Sequence, residues 1–348
     1  MRIAQVAPLF ESVPPASYGG TERVVSYLSD ELVELGHEVT LFASGDSVSR
    51  AALVPICPRA LRLDPSCVDH TAWHVLQIER VAEAAAQFDV IHFHIGHIHL
   101  PIARRVATPS VTTMHGRLDL PELVPLFEAF SDMPLISISD AQRAPLPHAN
   151  WTATILHGLP SAQFVARDSA GDYFAFLGRF SPEKRVDRAI AIATAVEQPL
   201  KIAAKIDRAD AEYFAGEVEP LLHHPLVEFV GEIGESQKEA FLGNARALLF
   251  PIDWPEPFGL VMIESLACGT PVIAFRGGSV EEIIEHGRTG FIVDTLDEAI
   301  EAARLVGTLD RRACRQAFER RFTARRMAED HVVVYKRVIE ERNAHAAA

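Results

Sequence analysis

The chain of 348 residues carries 33 Lys and Arg against 47 Asp and Glu, a formal net charge of −14. That balance argues against a nucleic-acid binder, which needs a net basic face to displace phosphate counterions. With 48% hydrophobic and 23% charged residues, the composition excludes a disordered chain and suits a globular protein of about two domains.

In chain order, "RIAQVAPL" (2–9) predicts a buried strand. The stretch 21–38 predicts an amphipathic helix, with Val24, Val25, Leu28, Leu32 and Leu35 along one face and Gly36 as its stop. Next come a strand over 38–44, a helix near 72–88, and strands over 89–94, 110–116 and 134–139. The pattern restarts after the loop Leu156–Phe164, with a strand over 173–179, a helix over 184–196 and a strand over 199–206. Further strands are predicted over 227–232, 247–252, 271–275 and 290–294. Alternating strands and helices imply an α/β protein with parallel, doubly wound sheets. The reading gives two Rossmann-like domains, 1–160 and 161–325, facing across a cleft, and a helix over 326–348 crossing back to the first. Such sheets bind ligands at the carboxyl ends of their strands.

Several features point to no special chemistry. The four cysteines, Cys57, Cys67, Cys268 and Cys314, form no CxxC pair, which fits a reducing cytoplasm better than a disulfide scaffold or a zinc site. The apolar run from Ile3 to Phe10 is broken by Gln5 and Pro8, so no signal peptide is expected. No apolar run reaches the ~18 residues that span a bilayer. A cytoplasmic protein with at most peripheral membrane contact is expected. The arginines at 311, 312, 315, 320, 321, 325 and 326 read as a solvated helix face. Of the tract His92, His94, His97 and His99, the first two share one face of a strand and the others lie past its end. They read as structural histidines rather than a metal site.

The most informative segment is "WPEPFGLVMIESLACGTPVIAF", residues 254–275. A helix should begin near Phe258–Gly259, with Pro257 tolerated in the first turn and Gly269 ending it. The backbone amides of Gly259, Leu260 and Val261 then face out of a helix N-terminus, a ready anion site. Glu256 precedes the helix and Glu264 follows eight residues later, about two turns in. Two carboxylates beside a phosphate would repel it, so they suit hydroxyl donors instead. A capping carboxylate and a surface glutamate would explain the spacing equally well. A second segment, "FLGRFSPEKRVDRAI" (176–190), puts Arg179 and Lys184 at a strand-to-helix turn, a fork and a point charge suited to a diphosphate. Gly19 and Gly20, in "PPASYGGTERVV", allow close backbone approach to an anion. His115 ends an apolar strand, and "ISISDAQR" adds Ser139 and Arg143.

The segment "EPFGLVMIESLACGTPVIAFRGGSVEEIIEHGRTGFIV" resembles the Glu-x7-Glu signature of retaining glycosyltransferases of the GT-B fold, and specifically glycosyltransferase family 4. The resemblance implies that the first domain binds the acceptor and the second the nucleotide-sugar donor. It implies that Glu256 contacts the donor sugar, Glu264 the ribose hydroxyls, and the Phe258–Val261 amides the sugar and phosphates. It further implies that Arg179, Lys184 and the Gly19–Gly20 loop hold the diphosphate. His115 would contact the donor sugar or the acceptor hydroxyl, with Ser139 nearby. The family's usual glycine after the lysine is here Arg185, which is expected to matter little. The opening resembles a bacterial subgroup, some of whose members are named for transferring glucose from UDP-glucose to tetrahydrobiopterin. UDP-glucose is therefore the first donor to consider, with GDP-mannose and UDP-N-acetylglucosamine open.

The implied activity is metal-independent and cofactor-free transfer of a hexose, with retention, to a small-molecule, glycan or lipid hydroxyl acceptor. Glu256 sits by the sugar's remote hydroxyls in the family pattern, which makes it a poor nucleophile and favours front-face attack. A sugar-nucleotide epimerase would need other second-domain motifs, and an NAD-dependent oxidoreductase a Gly-x-Gly-x-x-Gly where the chain has "YGGTER". A non-catalytic sugar-nucleotide sensor would not need Glu256, Glu264, Arg179 and Lys184 together.

Overall fold

The computed structural model describes residues 1–16 and 19–347, with side chains through residue 344. The chain divides into two compact units, residues 1–158 with 324–348, and residues 159–323.

The first unit is built on a seven-stranded sheet in the order β3-β2-β1-β4-β5-β6-β7. Its strands are β1 (Arg2–Val6), β2 (Glu38–Ala43), β3 (Ala52–Pro55), β4 (Val90–Phe93), β5 (Ser110–Thr113), β6 (Leu135–Ser137) and β7 (Trp151–Thr154). Every pairing is parallel, which explains the continuous apolar runs, since the central strands are covered on both faces. Helix α1 (Gly20–Glu34) follows β1 and buries Val24, Val25, Leu28 and Leu32, each worth about 2 kcal/mol when fully removed from water. Helix α2 (His70–Ala84) begins at Asp69, whose side chain accepts from the Thr71 amide at 2.8 Å.

The second unit carries a six-stranded parallel sheet in the order β10-β9-β8-β11-β12-β13. These strands are β8 (Tyr173–Arg179), β9 (Leu200–Lys205), β10 (Val227–Gly231), β11 (Ala245–Phe250), β12 (Val272–Phe275) and β13 (Gly290–Val293). The helices needed below are α3 (Val186–Ala195), α4 (Glu235–Gly243), α5 (Leu260–Ala267) and α6 (Arg311–Arg321). In both sheets the first strand of the unit lies inside the sheet and the order reverses beside it. That is the switch point where doubly wound sheets present loops to ligands.

The final helix, α7 (Ala324–Ala347), belongs to the first unit. It buries Met327, Ala328, His331, Val334 and Tyr335. Arg326 donates to the Leu156 and His157 carbonyls.

In the arginine-rich stretch Arg312, Arg320 and Arg325 are exposed, as expected of a solvated face, but Arg311 and Arg315 depart from it. Arg311 is buried, and its guanidinium donates to the carbonyls of Arg167, Ala245 and Gly243 at 2.8–2.9 Å and to Thr270 Oγ1 at 2.6 Å. Arg315 donates to the carbonyls of Ser161, Phe164 and Ala267. Five fixed N–H donors let one arginine satisfy several orphan carbonyls at once. These two side chains tie α6 to the loops around it.

Candidate functional site

The second unit gathers most of the residues singled out in the sequence. After β11 the chain turns through residues 251–259 into α5. Gly259 closes that turn at φ 80°, and a Cβ there would sit 2.7 Å from Met262 Cε. The first helical amides have no intrahelical partner by construction, and that of Met262 reaches back to the Gly259 carbonyl at 3.0 Å. The helix begins at Leu260, so Glu264 stands about one turn in, not two.

Glu256 is fixed from its backbone outward. Gly278, at φ 54°, packs so closely that a Cβ would lie 2.1 Å from the Glu256 carbonyl oxygen. The Ser279 amide donates to that oxygen at 3.0 Å, and Ser279 Oγ donates to the Phe258 carbonyl at 2.7 Å. The Glu256 carboxylate, 8% exposed as a residue, accepts from Trp254 Nε1 at 3.0 Å and from Lys184 Nζ. Lys184 Nζ also lies 4.9 Å above the Trp254 ring, a favourable place for a cation. The Lys184 amide donates to the Ser181 carbonyl at 3.0 Å in the turn after β8, and the Asp253 amide donates to the Glu183 carbonyl at 2.9 Å. The two basic–acidic loops are thus stitched together by backbone.

Arg179 ends β8 and is paired with Glu183 at 2.7 Å and Asp210 at 3.2 Å. Glu264, 2% exposed, accepts from Lys238 Nζ of α4 at 2.6 Å, and Lys238 also meets Glu235 at 3.1 Å. Glu256 precedes α5 and Glu264 lies within it, and each carboxylate meets a lysine. A carboxylate has about four acceptor positions, so each retains capacity for hydroxyl donors. Lys238, Trp254, Glu183 and Asp210 were not legible as site residues. Trp254 stood two residues before Glu256 in the quoted motif. Lys238 had no signal beyond a lone cation on a helix.

Arg185 shows why a glycine is usual at its position. It occupies the left-handed region at φ 51°, ψ 51°, capping α3. Its guanidinium pairs with Asp187 and Asp253, both at 2.8 Å, and these partners hold it firmly charged.

In the first unit, Gly19 precedes α1 at φ 154°, and a Cβ there would meet Pro15 at 2.7 Å. Gly20 opens the helix. Tyr18, also in the quoted "YGGTER", lies outside the described residues. Ser139 is fully buried, and its Oγ accepts from the Gln142 amide at 2.9 Å, so it caps a helical turn. Gln142 in turn donates to the Met114 and Gly116 carbonyls, both at 2.8 Å, clamping the segment that carries His115. Arg143 pairs with Asp140 at 3.2 Å.

His115 stacks on His157 with ring centroids 5.2 Å apart, and its Nε2 lies 2.9 Å from His94 Nδ1. Burial pushes the His115 imidazole down to about 3 and holds His94 well below its usual value. Among the described residues, no group of three or more His, Cys, Asp or Glu is arranged to hold a metal ion, and no helix is long and apolar enough to cross a membrane. All four cysteines are free thiols. Burial raises Cys57 to about 11 and Cys268 and Cys314 to about 12, leaving these three protonated and poor nucleophiles.

The model of Glycosyl transferases group 1 matches residues 162–314, and that of Glycosyltransferase Family 4 matches residues 18–210. A phosphatidyl-myo-inositol mannosyltransferase of Mycolicibacterium smegmatis is 25% identical, over 97% of this chain and 92% of its own. The crystal structure of AviGT4, a glycosyltransferase involved in avilamycin A biosynthesis, superposes with a TM-score of 0.72 at 26% identity, covering 98% of each chain. Sucrose-phosphate synthase from Thermosynechococcus elongatus shares the fold, with a TM-score of 0.78 at 19% identity over 98% of this chain and 100% of its own. The two parallel sheets and these neighbours make the architecture GT-B. With one family model matching more than half of its residues, the chain is a glycosyltransferase and belongs to glycosyltransferase family 4.

Proposed function

We propose that the protein transfers a hexose, with retention, from a nucleotide diphosphate sugar to a hydroxyl acceptor, without a metal ion. The observation that carries this reading is the cluster at the N-terminus of α5, where Glu256, Lys184 and Trp254 converge. Arg179, Lys184 and the α5 amides would stabilise the departing diphosphate. Glu256 and Glu264 would accept hydrogen bonds from sugar and ribose hydroxyls. Glu256 is already engaged by a lysine and an indole N–H. Those donors draw charge from it, which favours a hydroxyl-binding role over nucleophilic attack. The acceptor oxygen would then add from the leaving-group side, its proton passing to the departing phosphate oxygen.

UDP-glucose is the donor we would test first. The relative named as a mannosyltransferase puts mannose beside glucose. The test is to incubate the purified protein, in EDTA, with UDP-, GDP- and ADP-sugars and follow slow release of nucleotide diphosphate. Release from one donor, abolished by Glu256→Ala and by Lys184→Ala, is the expected result. No release, together with no thermal shift from any nucleotide, overturns the reading. Trapping a covalent glycosyl adduct on Glu256 would overturn the front-face route alone.

A further inference from the structure

Glu264 is held by one of its carboxylate oxygens only. Lys238 Nζ donates to Oε1 at 2.6 Å. Oε2 accepts from no described residue, yet it is not among the buried polar atoms sealed from water. The side chain is 3% exposed, and that narrow opening includes Oε2. Lys238, on α4, is itself gripped from the other side. Its Nζ lies 3.1 Å from Glu235 Oε2, and Gln163 Nε2 donates to Glu235 Oε1. An ammonium can only donate and an ionised carboxylate can only accept, so the direction of each link is fixed.

Helix α4 is a stiff mount for this lysine. At its start the Gly234 amide donates to Gln237 Oε1 at 3.0 Å. Near its end, Tyr173 Oη donates to the Phe241 carbonyl at 2.7 Å, and Thr270 Oγ1 donates to the Leu242 carbonyl at 2.8 Å. Tyr173 begins β8 and Thr270 follows α5. The helix is therefore tied to the strand that ends in Arg179 and to the loop after the helix that carries Glu264.

We propose that Lys238 is a positioning residue: it pins Oε1 of Glu264 so that Oε2 is presented in a fixed place to a ribose hydroxyl of the donor nucleotide. The proposal rests on the transferase reading, in which Glu264 meets the ribose. A hydroxyl-to-carboxylate hydrogen bond is short and directional, whereas a glutamate side chain has several rotatable bonds. Fixing one oxygen removes that freedom before the ligand arrives. Lys238 also keeps the acceptor charged. Without the ammonium, a nearly buried carboxylate is stranded, and it either turns toward water or takes up a proton. Both routes lose the fixed acceptor. Two of the three ammonium N–H groups are already committed to Glu264 and Glu235, which suits a residue that acts through Glu264 rather than on the ligand.

The experiment measures binding of UDP, GDP and ADP by titration calorimetry, then of the 2′-deoxy and 3′-deoxy forms of whichever nucleotide binds. The ratio of two dissociation constants on one variant cancels any loss of folded protein, so a merely destabilised variant does not mimic a change of preference. The wild type should bind the ribonucleotide about tenfold or more tightly than at least one deoxy form, because a hydrogen bond to a charged group is lost. Lys238→Met should bring that ratio to within about threefold of unity. Glu264→Ala should do the same, with Lys238 still held by Glu235, and adding Lys238→Met to it should change the ratio no further. An unchanged preference in Lys238→Met overturns the proposal, as does a wild type that binds nucleotide with no preference for the ribose. A further change in the double variant also overturns it, because Lys238 would then touch the ligand itself. Failure of the transferase reading would appear separately, as a wild type that binds no nucleotide and releases none from any donor.

Discussion

Trp254 donates its indole N–H to the Glu256 carboxylate at 3.0 Å, across two residues of a proline-flanked loop. The same ring carries the Lys184 ammonium 4.9 Å from its centre. Replacing Trp254 with Phe removes the hydrogen bond and keeps an aromatic face. A hydrogen bond to a charged group contributes about 1.5–3 kcal/mol, so donor turnover should fall about tenfold or more. Nucleotide release assays on Trp254→Phe would check this, and an unchanged rate would mean that the indole N–H does not orient Glu256 for the reaction.

Lys238 and Glu264 form a pair whose side chains are 13% and 3% exposed. Removing one partner strands the other, at a cost of about 3 kcal/mol for a buried pair. Lys238→Met should therefore destabilise the protein in urea by about that amount. The double variant Lys238→Met with Glu264→Gln should recover most of it. If the double variant is no more stable than the single one, the stranded carboxylate is not the cause.

Arg185 permits a comparison at one position. A non-glycine residue in the left-handed region costs on the order of 1 kcal/mol, while its ion pairs with Asp187 and Asp253 are partly solvated and weak. Arg185→Gly relieves the strain as it loses the pairs and should leave the melting temperature nearly unchanged. Arg185→Ala keeps the strain and loses the pairs, so it should melt lower than Arg185→Gly by a few degrees. The reverse order would show that the ion pairs outweigh the backbone.

Acid should weaken the first unit before the second. Burial depresses His99 and His115 to about 3 and His331 to about 4, and holds His92, His94 and His157 well below the usual value. All six belong to the first unit. Each is neutral when folded and protonated below about 6.5 when unfolded, so the unfolded chain binds more protons. Stability is complete above about pH 6.5 and is lost as pH falls toward the folded values, by about 1.4 kcal/mol per pH unit for each histidine. Urea unfolding at pH 7.5, 6 and 5 would test this in a Trp254→Phe background, where Trp73 and Trp151 report on the first unit alone. A flat stability over that range would contradict it.

The central strands and the helix after Gly259 were legible because two-sided burial leaves uninterrupted apolar runs, and glycine and proline punctuate them. The edge strands β3 and β7 escaped notice. "ALVP" and "WTAT" are only partly buried, so burial left no apolar run to read. Glu256, Glu264, Arg179 and Lys184 stood out only through the resemblance to the family's motifs, because their spacing alone fits a capped helix and solvated cations equally well. Lys238 did not, because its partnership with Glu264 is made by folding, across 26 residues, and leaves no mark on its neighbours. The roles of Arg311 and Ser139 were hidden for a related reason: an arginine that feeds carbonyls and a serine that caps a turn have the same sequence appearance as surface and ligand-facing ones.

The return of α7 to the first unit has a consequence for how the molecule is made. Residues 159–323 form one uninterrupted stretch and can complete their core as soon as they leave the ribosome. The first unit cannot, although its strands are synthesised earlier. Until residues 324–347 emerge, Gln5 and His92 lack their hydrogen bonds to the Tyr335 phenol, and the faces that receive Met327 and Val334 stay wet. The order of completion is therefore the reverse of the order of translation, and the first-made half of the protein is the one that must wait, exposed, for the last helix.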